Sequence, residues 1–286
     1  MRSSDIFRLI ILAAIWGGSF IFMRVLAPVL GPVITADLRV LIAGLALILY
    51  FKVIGFDLEW KINWKHYLII GVINSGVPFL LYAFAALHIP ASYSVILNST
   101  SPMFGVIFSA IWLSEKLTLK KVFGIMLGVI GVSFVTKVGA VAADVFFFLS
   151  VAACLTSAIC YALAGVYIKR FVKTAKPMGI AGASQLLAGF VLLPFIFFSP
   201  LRGEITTPVI FNILGLALVC SAIAYLIYYK LIADVGPTKA LTVTFLMPVF
   251  GMFWGYLFLS ESITLSMVIG CILIIAGTIL VVRKQR

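Results

Sequence analysis

Ten apolar runs of roughly membrane-spanning length follow one another along this chain, and that succession constrains the fold more than any single motif. They read as about 7–27, 33–54, 66–87, 90–113 and 119–136, then about 146–168, 178–198, 208–232, 237–259 and 264–282, each bounded by charge or by Gly and Pro. A bilayer core takes about 20 apolar residues of α-helix, and backbone groups in lipid must be satisfied within the segment, which selects helices. The third and fourth runs are separated only by His88-Ile89-Pro90. Pro90 disfavours helix continuation, so a tight helical hairpin is expected there. The 286 residues are 64% apolar and 10% charged, against about 45–50% and 25% in a soluble domain. A water-soluble globule is therefore excluded, and 24 Phe exclude disorder. No stretch between the runs is long enough for a separate soluble domain.

The net charge of +12 does not point to nucleic acid, because Lys and Arg lie between apolar runs and form no basic face of a soluble scaffold. In that position they set orientation. With both termini in the cytoplasm, 17 Lys and Arg fall inside and only three, Arg24, Lys137 and Arg202, outside; Arg39 lies within a span. The bias predicts loops 137–145 and 199–207 outside and 169–177 inside, in an inner (plasma) membrane. The N-terminal stretch with Arg2 and Arg8 mimics a signal peptide, but the repeat described next makes it an uncleaved span. Cys154, Cys160, Cys220 and Cys271 all sit in apolar runs without a CxxC, as core-packing residues do.

The halves match at an offset of 146: Ser75 with Ser221, Tyr82 with Tyr228, Pro102 with Pro248, Gly124 with Gly270, and Gly131 with Gly277. Leu113-Ser114-Glu115-Lys116-Leu117-Thr118 matches Leu259-Ser260-Glu261-Ser262-Ile263-Thr264, while Pro90 meets Pro237 after a one-residue slip. Five spans per repeat, an odd number, put the second half into the membrane from the opposite side. The expected fold is an all-α polytopic membrane protein of ten helices. Its organisation is a first repeat at 1–137, a connecting loop at 138–145 and an inverted second repeat at 146–286. Inverted repeats are the architecture of alternating-access transporters, with the site near the midplane.

These residues resemble the EamA family of the drug/metabolite transporter superfamily. Trp16-Gly17-Gly18-Ser19-Phe20 is similar to its WGxxF opening, and Leu38-Arg39-Val40 with Ala43 and Gly44 to its second-span LRF pattern. The run from Ser101-Pro102 through Leu113-Ser114-Glu115 to Gly124, Gly128 and Gly131 resembles the closing signature of the repeat, and it recurs around Pro248, Glu261, Gly270 and Gly277. Ser114 and Ser260 replace a frequent Gly, and the second half offers Ala162-Leu163 opposite Trp16-Gly17. The resemblance covers essentially the whole chain. It implies ten helices, two inverted repeats and metabolite export, often of amino acids or related small molecules.

Polar groups within the bilayer are costly and need a partner or a wet cavity. Pro78, Pro102 and Pro248 free the carbonyls of Asn74, Asn98 and Thr244. Three helix breaks beside mid-span polar side chains point to a cavity, with these prolines as hinges. Helical spacing groups Asn74, Pro78 and Tyr82; Ser94, Asn98 and Ser101; Cys154, Ser157 and Tyr161; and Ser221, Tyr225 and Tyr228. Trp16 and Ser19 of the first-span motif complete the expected lining. Arg39, whose repeat mate is Gln185, either meets a carboxylate-bearing substrate or pairs structurally; Asp37 would instead meet Arg24 across the outer connection. Glu115 and Glu261 read as a repeated hairpin device beside Thr118 and Thr264, N-caps of the following helices. Gly124, Gly128 and Gly131 read as a close-packing face, within the chain or in a weak homodimer.

The leading expectation is a secondary transporter exporting amino acids or related carboxylate-bearing solutes by alternating access. A multidrug exporter of cations would need a carboxylate at membrane depth, and Asp37 alone lies inside a span. A lipid flippase would need a lateral opening. An intramembrane enzyme is the rival of a different class, but HExxH, GxSxG and P-loop motifs are all missing, and His66 and His88 sit at span ends. The expected partners are a small-molecule substrate and the bilayer, with no nucleic acid, no metal, no cofactor and no enzymatic activity.

Overall fold

The computed structural model describes residues 2–136 and 144–282. Most of the expected 138–145 connection therefore lies outside the described residues, as do Lys137, Arg283, Lys284 and Arg286. The described chain makes ten helical passes: α1 Ser3–Leu30, α2 Pro32–Val53, α3 Trp60–Ala85, α4 Ala91–Leu113, α5 Leu119–Val135, α6 Val145–Phe171, α7 Pro177–Ile196, α8 Thr207–Val235, α9 Val243–Leu259 and α10 Leu265–Val282. Eight are long and apolar enough to cross a membrane, and α9 is a shorter apolar helix. The seventeen-residue α5 pairs along α10. The fold is the all-helical, polytopic one that the apolar runs predict.

Local chemistry sets the junctions. A single residue, Gly31 with φ of 78°, turns α1 into α2, and Pro32 opens the next helix, where its missing N–H costs nothing. Residues 86–90 make the short hairpin between α3 and α4. Asp144 caps α6 by accepting from the Phe147 amide at 2.7 Å. A turn at Ser99-Thr100 breaks α4 just ahead of Pro102, and a one-turn helix, Pro237–Ala240, precedes α9. Some spans outrun their apolar runs: α3 starts at Trp60, ahead of the expected 66, and takes in Lys61 and Lys65.

Packing repeats across the two halves. α2 lies along α7 and α5 along α10, while α1 packs on α9 as their mates α6 and α4 pack on each other. The expected glycine face serves the α5–α10 seam inside the chain. A Cβ at Gly124 would sit 2.6 Å from the Gly277 carbonyl oxygen, and one at Gly131 would sit 2.8 Å from that of Gly270. Two widened π-helical stretches, Val72–Gly76 in α3 and Gly215–Ile223 in α8, occupy matching positions in the two halves. Sequence periodicity did not predict them.

The hairpins correct one expectation. Thr264 does cap α10, its hydroxyl accepting from the Met267 amide at 3.2 Å. Thr118 precedes α5 with its hydroxyl buried and without a hydrogen-bond partner among the described residues. Ser114 and Ser260, by contrast, adopt the same left-handed turn, with φ of 55° and 52°.

Candidate functional site

A cavity of about 510 Å³ runs from the middle of the bundle to the end where Ser3 and Val282 lie. Its inner end is walled by Trp16, Ser19, Phe20, Met23, Arg39, Phe79 and Tyr82. Towards the termini its wall passes through Ser109 on α4, Gly165 and Lys169 on α6, Ser184 on α7, Tyr229 on α8 and Phe245 on α9. Among the described residues, no Asp or Glu lines it.

Arg39 defines the closed end. It is 5% exposed and sits on α2 where that helix faces the widened stretch of α8. Its Nε donates to the Ser221 hydroxyl at 3.1 Å, and that hydroxyl donates in turn to the Leu216 carbonyl at 3.2 Å. A terminal nitrogen points at Met23 Sδ at 3.5 Å, and the guanidinium carbon lies 3.6 Å from the Phe79 ring centre. A cation over a ring face gains about 2 kcal/mol or more when desolvated, which offsets only part of the cost of burying a charge. Among the described residues, no carboxylate forms an ion pair with Arg39. Arg39 neither pairs with an acid there nor reaches the surface.

The expected partnership of Asp37 with Arg24 is absent. Asp37 is fully buried with both carboxylate oxygens unpartnered among the described residues, while Arg24 donates to the Ala86 carbonyl. Arg24 faces the α3–α4 hairpin, so its long side chain is already engaged away from α2.

Of the residues singled out in the sequence, Trp16, Ser19, Arg39, Asn74, Tyr82, Asn98, Tyr161, Tyr225, Tyr228 and Thr244 stand in the cavity wall, together with the hinge residue Pro102. Tyr82 donates to Asn98 Oδ1 at 2.9 Å and stacks on Tyr161 with ring centres 6.3 Å apart. Trp16 meets Tyr225 and Tyr228 at 5.9 and 5.1 Å. Ser94 and Gln185 stand outside the wall: Cys154 reaches the Ser94 hydroxyl at 3.6 Å, and Gln185 is fully buried and donates to the Ala181 carbonyl. Pro78 and Pro248 are buried away from it too. Serine hydroxyls occupy two of the carbonyls freed by proline, Ser101 donating to Asn98 at 2.6 Å and Ser99 to Thr244 at 3.3 Å. The wall also contains Met23, Phe79, Gly105, Gly165 and Tyr229. Their residue types look like ordinary core in sequence, and only Tyr229, next to Tyr228, carried a signal that could have been followed.

Outside the spans, Glu115 accepts from Lys169 at 2.7 Å, and Lys121 lies 3.8 Å away. The Lys169 hydrogen bond holds the Glu115 carboxyl below its ordinary range.

Comparison with known proteins gives this geometry its family. The EamA-like transporter family profile matches residues 4–137 and again 148–283, nearly the whole chain. The chain belongs to the EamA-like transporter family. This EamA-like transporter is 26% identical to the uncharacterized transporter YvbV of Bacillus subtilis, over 96% of this chain and 90% of that one. It is 24% identical to a protein of Salmonella typhimurium named "Probable amino-acid metabolite efflux pump", over 97% of this chain and 94% of that one. A solved crystal structure superposes with a TM-score of 0.66 at 20% identity, covering 98% of this chain and 96% of the other, a likeness of fold alone. The EamA-like transporter is thus a multi-pass membrane protein.

Proposed function

We propose that this transporter exports small carboxylate-bearing metabolites, amino acids foremost, by alternating access through the central cavity. The carrying observation is Arg39, a buried cation held by neutral groups at the closed end of a cavity whose described lining is aromatic and free of acids. A carboxylate arriving there gains charge-assisted hydrogen bonds, two of them where it meets the guanidinium fork, in a site of low dielectric. Tyr82, Tyr161, Tyr225, Tyr228 and Trp16 offer flat apolar walls with polar edges, suited to the remainder of a small amphipathic solute. With the termini cytoplasmic in the inner (plasma) membrane, as the positive-inside bias argues, the cavity opens to the cytoplasm and loads solute for export. Lys169 stands at its mouth, paired there with Glu115. A cation exporter would need an acid in this wall, and none of the described lining residues is one.

The test is a thermal-shift screen of the purified transporter against zwitterionic amino acids, aromatic carboxylates and cationic drugs, followed by counterflow in proteoliposomes. A ligand that binds the folded protein raises its melting temperature by mass action. Stabilisation and counterflow by carboxylate-bearing solutes are expected. Stabilisation by the cations alone would overturn the reading.

A further inference from the structure

The two matched hairpins share one backbone but hold their glutamates in two different arrangements. After Ser114 and Ser260, both in the left-handed turn, the Glu115 amide donates to the Ser109 carbonyl at 3.3 Å and the Glu261 amide to the Gly255 carbonyl at 3.1 Å. These pairs are related by the 146-residue offset. Their side chains diverge. Glu261 docks on the first turn of α4: one oxygen accepts the Ala91 amide at 2.6 Å, and the other accepts the Ser92 amide at 3.0 Å and the Ser92 hydroxyl. Gly255 makes room for this contact, since a Cβ there would lie 2.5 Å from the Glu261 carboxylate and 2.6 Å from the Ser92 hydroxyl. Glu115 is half-exposed and turned instead to Lys169 and Lys121.

This asymmetry follows the cavity. The docked glutamate sits at the end of the bundle where the cavity is closed, and the undocked one at the end where it opens. Gly255 is packed under Glu261, whereas its repeat mate Ser109 lines the open cavity. One backbone with two side-chain placements is what an inverted repeat gives when its halves are caught in opposite roles.

We infer that Glu261 and Glu115 are reciprocal latches of the two gates, Glu261 holding one end shut in this state and Glu115 the other end in the opposite state. In the exchange, Glu261 releases Ala91 and Ser92 while Glu115 leaves Lys169 and Lys121. Glu115 then accepts the backbone amides that follow Pro237, the counterpart of Pro90. A carboxylate suits this task because it accepts several N–H groups at a helix start, where the backbone dipole favours negative charge. Lys169 and Lys121 hold the undocked latch as a carboxylate in this state. This inference rests on the alternating-access reading above and assigns two residues outside the cavity to it.

The full chain in nanodiscs, with its four cysteines replaced and spin labels at positions 88 and 263, reports the separation of the α3–α4 hairpin from the α9–α10 hairpin by double electron–electron resonance. The parent is expected to populate mainly the short distance. Glu261→Gln, which can accept at one oxygen only, should raise the share of the long distance roughly tenfold. Ser92→Ala should move it the same way by less, and it guards against poor folding of the first variant. Glu115→Gln should move it the opposite way, and the double variant should return towards the parent ratio. A lower melting temperature with unchanged distances in Glu261→Gln and Ser92→Ala would make Glu261 a structural cap and overturn the latch. A long distance that appears with added solute but ignores both glutamates would overturn the latch while leaving alternating access intact. Its absence in every variant and with every solute would remove both.

Discussion

The guanidinium of Arg39 lies against the Phe79 ring, its carbon 3.6 Å from the ring centre. Phe79 belongs to α3 and Arg39 to α2, and the contact fixes the cation at the junction of those helices with α8, whose Ser221 accepts the Nε hydrogen bond. A buried arginine usually answers to a carboxylate. Here its neighbours are a ring, a thioether and a hydroxyl, and among the described residues no acid pairs with the charge.

Tyr82 and Asn98 bridge α3 and α4 across the middle of the cavity. Tyr82→Phe should lower stability by about 1 kcal/mol, the net worth of one buried hydrogen bond, read as a small fall in melting temperature with insertion unchanged. Asn98→Leu, Asn74→Leu and Tyr161→Phe should each weaken solute binding by isothermal titration while expression holds. Unaltered binding in those last three variants would place the site elsewhere.

Glycines separate packing from transport. A Cβ at Gly131 would meet the Ile274 side chain and amide and the Gly270 carbonyl oxygen, so Gly131→Val should cost about 1–3 kcal/mol by overpacking the α5–α10 seam. Gly105 and Gly165 line the cavity, and a Cβ added at either would meet nothing within 4 Å among the described residues. Gly105→Phe and Gly165→Phe should therefore lower the melting temperature less than Gly131→Val does and block counterflow by filling the cavity.

Orientation is checked by single cysteines labelled in intact cells with a membrane-impermeant thiol reagent. A cysteine at Leu201 should react from outside, and one at Lys173 should react only after permeabilisation. The reverse pattern would place the open end of the cavity on the outer side and contradict the cytoplasmic loading proposed above.

Helix number and the hairpins were legible because each depends on local chemistry: apolar run length, Pro90, and the repeated Leu-Ser-Glu segments. Much of the cavity was legible too, since mid-span Asn74, Asn98, Tyr161 and Tyr225 are expensive in lipid wherever they fail to meet one another. The partner of Arg24 was not, because charge pairing in space depends on which way a long side chain turns, and Arg24 turns to Ala86 and leaves Asp37. Ser94 and Gln185 were polar and mid-span but satisfied in part by Cys154 and by a carbonyl of their own helix. Phe79 and Met23 could not be told from core, because their role depends on the cation they surround. The π-helical stretches escaped because Val72–Gly76 and Gly215–Ile223 carry no residue pattern that distinguishes five-residue from four-residue hydrogen-bond spacing.

The central claim is that Arg39 receives a substrate carboxylate, and the most direct measurement compares a carboxylate ligand with its amide analogue on folded Arg39→Gln. Charge-assisted hydrogen bonds are worth about 1.5–3 kcal/mol. The carboxylate should therefore lose roughly ten- to a hundredfold in affinity, while the amide changes little. Arg39→Lys should recover only part of the loss, because an ammonium lacks the planar fork of a guanidinium. An equal loss for both ligands, with a lowered melting temperature, would make Arg39 a structural residue and contradict the account.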